Sequence, residues 1–300
     1  MKKVLPLFIV SILVATSGCV EISGVDFAEV PMLEIGEPRY VITEKVSLTS
    51  RPVPGEVDSG RKMDLFFDVK NEGNSTVNGV KLKLLDKHLL SYRNDNPNES
   101  REAEQLDPGE MLKWKWELEA NDVDMERNSE IRHELSYNSR AFARFTLTAI
   151  DEDEYLTRTE TGTLEEVTEL TYEKTQTPIE VMVEVPEDQP IPEGEDFIVH
   201  LDFENKGDGS PVGDSLSNIN LTYPDGLFNI LGDCQGRMEV VKDGEIKLAD
   251  ELVFRDSKAP RISCKFKVND DIRTVNSGVF EVNADYDYKE YGKTEVTVTP

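Results

Sequence analysis

The chain has 300 residues, 38% of them hydrophobic and 31% charged, with 60 acidic against 33 basic side chains and a formal net charge of −27. A surface this acidic repels nucleic-acid phosphates and anionic lipid headgroups, which argues against both as binding partners. The length suits two domains of ordinary size, and beyond the N-terminal region no stretch approaches the roughly 20 apolar residues of a membrane-spanning helix.

At the N-terminus, Lys2 and Lys3 precede an apolar run from Val4 to Ala15 that ends in "TSGC". This is the pattern of a secretory leader over residues 1–18. Ser17, Gly18 and Cys19 resemble the lipobox of prokaryotic lipoproteins, with Thr16 standing where leucine is usual. The resemblance implies lipidation of Cys19, a lipid-attached tether over residues 19–39, and a protein held by its lipid anchor on the extracellular face of the cell membrane. Loss of the leader removes Lys2 and Lys3 and takes the charge from −27 to −29. With Cys19 assigned to lipid, Cys234 and Cys264 remain as the internal pair, for which a disulfide is the default outside the cell. Asn74, Asn98 and Asn220 head sequons and are glycosylation candidates in the same compartment.

From residue 40 onward the chain reads as short strands. Val46 and Leu48 mark an edge strand; Met63, Leu65, Phe67 and Val69 then alternate with polar residues, the period of a strand with one buried face. "VKNEGN" closes that strand, with Gly73 expected to turn the chain at positive φ. Val80, Leu82 and Leu84 follow, then Leu112, Trp114, Trp116 and Leu118, then Ile131, Leu135 and Tyr137, and finally Phe145, Leu147 and Ala149. "GTLEEVTELTYEK" suits either a last strand or a short helix. A second series opens near residue 176 with Val181, Val183 and Val185, and Phe197, Val199, Leu201 and Phe203 lead to "FENKGD" with Gly207 at its turn. Ile219, Leu221 and Tyr223 match the next strand of the first series, and Leu252 and Phe254 take the place of the two tryptophans. Ile262, Phe266 and Val268 match Ile131, Leu135 and Tyr137, which sets Cys264 beside His133. Phe280, Val282 and Ala284 close the series. The expectation is an all-β chain: two antiparallel β-sandwiches in tandem, residues 40–175 and 176–300.

Asn71, Gly73, Pro108, Gly109 and Trp116 in the first copy, and Asn205 and Gly207 in the second, resemble the immunoglobulin-like, CARDB-type repeats of prokaryotic and especially archaeal surface proteins. The resemblance spans nearly all of residues 40–300, although the second copy lacks the "PGE" turn and the tryptophan. It implies a spacer, adhesion or ligand-presenting module, with an unidentified protein or glycan as its partner.

Catalytic patterns are not evident. His88, His133 and His200 lack the i, i+4 company of a zinc helix, and His133 reads as a core histidine. No nucleophile elbow, Walker loop or dinucleotide turn occurs, so neither an enzyme nor a cofactor is expected. "DEDE" offers Asp151 and Asp153 as weak Ca²⁺ ligands, weighed against a solvated turn. "YDYKEY" offers Tyr286, Tyr288 and Tyr291 as a recognition platform, weighed against strand packing. Binding loops are expected at residues 86–107 and 208–218. The rival readings are an accessory subunit of a membrane or transport complex and a carbohydrate-binding module.

Overall fold

A computed structural model describes residues 39–93, 99–167 and 171–300; the leader, Cys19 and Asn98 lie outside these. The first strands are β1 (Arg39–Thr43), β2 (Val46–Val53), β3 (Glu56–Asp58), β4 (Lys62–Asn71), β5 (Val77–Asp86), β6 (Leu90–Tyr92), β7 (Ser100–Leu106), β8 (Met111–Ala120) and β9 (Arg127–Ile150). Helix α1 (Glu152–Thr161) follows, then β10 (Tyr172–Gln176), β11 (Ile179–Glu184), β12 (Ile191–Pro192), β13 (Asp196–Asn205), β14 (Ser210–Pro211), β15 (Ser215–Leu216) and β16 (Asn218–Thr222). The last are β17 (Phe228–Ile230), β18 (Met238–Lys242), β19 (Glu245–Leu248), β20 (Leu252–Val253), β21 (Ile262–Val268) and β22 (Val275–Thr299). Among the described residues these form one twelve-stranded sheet, two four-stranded sheets (β2-β4-β8-β6 and β11-β13-β21-β17) and the β15-β20 pair. The fold class is all-β, mainly antiparallel sheets packed as a sandwich, with parallel pairings of β1 with β10, β12 with β9 and β3 with β22 in the large sheet.

Alternation explains the packing. In β9 the odd-numbered residues from Ser129 to Ala149 are buried, so one face of the large sheet is covered along the length of that strand. Two small sheets do the covering. Phe67 of β4 meets Trp116 edge-on at 5.4 Å and His133 of β9 at 4.9 Å. Phe197 and Phe266 of the other small sheet reach Phe280 of β22 at 6.4 and 5.4 Å, and Phe280 stacks on Phe145 of β9 at 5.1 Å. Each such ring, wholly buried, contributes about 1.5–3 kcal/mol of transfer free energy.

β9 and β22, of 24 and 25 residues, pair antiparallel from Val275↔Ile150 to Val298↔Arg127 with no register shift. Each runs beneath both small sheets. β9 pairs with β5 through its first part and with β10 and β12 through its second. β22 mirrors this, pairing with β16 first, then β14 and finally β3. Ala149 and Ile150 thus pair with β12, which follows residue 175, and Thr297 to Thr299 with β3, which precedes it. The division at 175/176 is a boundary in sequence that the sheet crosses twice.

The internal correspondence also changes. Trp116 stands opposite Leu65 as Cys264 stands opposite Val199, so β21 answers to β8, and the first part of β9 answers to that of β22. His133 therefore does not take the position of Cys264. Leu252 lies in the separate β15-β20 pair, away from the position of the tryptophans. The sequence match failed because period-2 apolar patterns align in any even register.

Both repeated turns are tied by their asparagine. Asn71 Nδ2 donates to the carbonyls of Ser75 (2.7 Å) and Leu106 (2.9 Å), and its Oδ1 accepts from Gly73 N–H at 2.9 Å. Asn205 repeats this with Gly209 and Gly207. Neither Gly73 nor Gly207 has positive φ. Close approach is what requires them: a Cβ at 73 would overlap the Thr43 carbonyl oxygen, and one at 207 the Tyr288 hydroxyl.

The "DEDE" stretch is helical rather than a turn. Asp151 caps α1 by accepting from Glu154 N–H at 3.0 Å, Glu152 to Glu154 lie in the first turn, where the helix dipole favours acids, and Gly162 closes it at φ 69°. "GTLEEVTELTYEK" provides both a 3₁₀ turn, Leu164–Val167, and the start of β10.

Candidate functional site

β5 pairs with β9 as far as Asn138, and β10 takes over at Ala143. Beside the interval opens a cleft of about 650 Å³ whose lining includes Glu44, Ser75, Asn138, Arg140, Asp285 and Asp287. Strand register places these groups: Arg140 pairs directly with Asp285, and Asn138 with Asp287. Arg140 Nε donates to Asp285 and Asn138 Nδ2 to Asp287, which leaves the outer carboxylates held by cross-strand partners. Ser139 and Tyr286, both buried, also line the cleft, and the Ser139 hydroxyl lies between Glu44 Oε2 and the Tyr286 hydroxyl, 3.0 Å from the latter. Tyr286 also accepts from Ile179 N–H at 2.9 Å.

Burial pushes the Glu44 carboxyl above its ordinary pKa; the Ser139 hydroxyl, the Arg140 backbone and the Arg140 charge oppose this more weakly. Burial likewise pushes the Tyr286 phenol up. Ser75 Oγ is buried without a hydrogen-bonding partner. This arrangement can take up polar groups through donors and acceptors at fixed positions. Among the described residues, no three His, Cys, Asp or Glu side chains converge as metal ligands, and Asp151 is engaged as a helix cap.

The sequence-predicted residues are dispersed. Cys234 and Cys264 form a disulfide that ties the loop after β17 to β21. Asn74 is exposed at its turn, its Oδ1 accepting from Thr43 N–H at 2.7 Å, while Asn220 sits mid-strand between Lys247 and Asn283. Of the platform tyrosines, Tyr286 and Tyr288 are buried, and Tyr291 is 58% exposed. Trp116 is buried and Trp114 half-buried against the core. His133 is 4% exposed, and burial depresses its pKa, with the Ile131 backbone pulling weakly the other way.

Sequence reasoning missed Glu44, Asn138 and Ser139. Ser139 did leave a trace, since it continues the odd-numbered buried set of Ile131, Leu135 and Tyr137 with a polar residue.

No protein-family model matches the chain, and no curated protein sequence matches it. Among solved structures, it is similar to red sea bream transglutaminase, at 13% identity over 85% of this chain and 31% of that one, with a TM-score of 0.21. The chain spans about a third of that structure's length, and a likeness this slight carries no argument about function.

Proposed function

We propose that the protein is a lipid-anchored surface protein on the outer side of the cell membrane, with a non-enzymatic role in adhesion, envelope structure or partner binding. The carrying observation is the unbroken β9-β22 ladder, about 80 Å long at 3.3–3.4 Å per residue. One continuous hydrogen-bonded support beneath both small sheets suits a presenting or spacing element, because no linker divides it. The leader pattern with Cys19 supplies the anchor, and the Asn71 and Asn205 turns agree with the surface-repeat resemblance.

Cross-linking on intact cells, followed by mass spectrometry of the purified protein and its N-terminal peptide, tests this. The reading expects a lipid mass on Cys19 and envelope or glycan material as partners. A single stoichiometric membrane protein would instead make the chain an accessory subunit, and an unmodified N-terminal peptide would remove the anchor.

A further inference from the structure

Asn74 and Asn220 each head a sequon, and the fold holds them in opposite settings. Asn74 is exposed in the bend between β4 and β5. Thr43 pins that bend twice: its carbonyl accepts from Asn74 N–H at 2.9 Å, and its own N–H donates to Asn74 Oδ1 at 2.7 Å. The side-chain amide is thus oriented through its oxygen, while its nitrogen, Nδ2, makes no hydrogen bond among the described residues. Thr76, which supplies the sequon hydroxyl, is exposed as well and donates to Asp107 Oδ1 at 2.8 Å. Asn220 lies inside β16, paired to Lys247 of β19 on one side and to Asn283 of β22 on the other. Its Oδ1 is buried without a hydrogen-bonding partner.

We infer that Asn74 carries an N-linked saccharide and that Asn220 does not. In the transfer, Asn74 Nδ2 bonds to the anomeric carbon of a glycosyl phosphate donor. The bond from that carbon to the phosphate oxygen breaks, and the phosphate leaves with its electron pair and takes up the proton that Nδ2 loses. An enzyme that makes this bond has to surround the acceptor amide, which a surface bend permits and a strand hydrogen-bonded along both edges does not. The product keeps the bond from Thr43 N–H, because only Nδ2 is substituted. Ser75 and Thr76 line the cleft described above, so the saccharide starts at its rim. This adds a modification to the surface reading and rests on it for the compartment in which glycosylation takes place.

The test is tandem mass spectrometry of peptides from the full chain purified from its own cells, in an Asn98→Gln background that removes the remaining sequon. The expected result is a glycan mass on Asn74 and none on Asn220. Thr76→Ala deletes the sequon hydroxyl and abolishes the mass at Asn74, Thr76→Ser keeps it, and Thr222→Ala leaves the glycopeptides unchanged. Melting curves of each variant exclude unfolding as the cause. A bare Asn74, a glycan on Asn220, or a glycan on Asn74 indifferent to Thr76→Ala would overturn the assignment. The N-terminal peptide from the same run separates the two readings. A lipid on Cys19 with a bare Asn74 removes the glycan alone, and a glycan on Asn74 with an unmodified Cys19 removes the anchor alone.

Discussion

Tyr288 donates its phenolic hydrogen to Asn205 Oδ1 at 2.9 Å, and the phenolic oxygen of Tyr288 accepts from Gly209 N–H at 2.9 Å. A side chain from the long strand β22 therefore closes the turn after β13. Burial pushes the phenol's pKa up to about 12, opposed mainly by the Gly209 N–H. Tyr288→Phe leaves that N–H without its partner inside the fold, at a cost of about 1–3 kcal/mol. Thermal melting should show a loss of several degrees, whereas Tyr291→Phe on the exposed face should change little.

Gly73 and Gly207 are needed for close backbone approach, so alanine at either forces the neighbouring segment outward. Overpacking of this kind costs about 1–3 kcal/mol. Gly55 and Gly226 meet nothing within 4 Å and have no positive φ, which makes Gly55→Ala and Gly226→Ala matched controls. Chemical denaturation of the four variants should separate them into two pairs.

Lys174 and Glu180 form an ion pair of 2.9 Å with side chains only 7% and 13% exposed. Burial alone would lower the Lys174 pKa, yet the partner carboxylate raises it. Glu180→Ala strands a buried ammonium and should destabilise by about 3–5 kcal/mol. The double change Lys174→Met with Glu180→Leu should recover most of that loss in a denaturant melt, because no charge remains to be desolvated.

Glu290 and Glu44 are carboxylates whose pKa values burial raises; Tyr137 donates to Glu290 at 2.9 Å, and Asp208 nearby adds to its shift. A raised folded pKa means the native state binds more protons than the unfolded one, so each group erodes stability as pH climbs from the unfolded value of 4.5 through the folded one. Glu290→Gln, which keeps an acceptor for Tyr137, should raise the melting temperature at pH 7. The gain should shrink as pH falls towards 4.5. A gain that stayed constant across this range would mean that the carboxylate charge is not its source.

Much of the local structure was legible. The alternation through Met63, Leu65, Phe67 and Val69 marks β4, its counterpart through Phe203 marks β13, and the cysteine count anticipated the disulfide. Which strands share a sheet was not legible, because alternation tells which face a residue takes and nothing of its neighbour. Tyr137 and Phe145 read as belonging to separate strands, with "NSRAFAR" between them, although one strand runs through both. The cleft beside Arg140 was hidden for the same reason. Its Asp285 comes from the opposite half of the sequence and meets Arg140 only through register. The close approach at Gly73 depends on Thr43, thirty residues earlier, which local turn rules cannot see.

The return of β22 to the first half has a consequence for synthesis. Thr297 pairs with Glu56 and Val298 with Val57, so the first half lacks its closing strand until nearly the whole chain has emerged. Such distant pairing defers closure and leaves strand edges open meanwhile. A nascent chain halted near residue 280 would have the strands of both small sheets but an incomplete large sheet, and residues 281–299 would then close that sheet against strands made first.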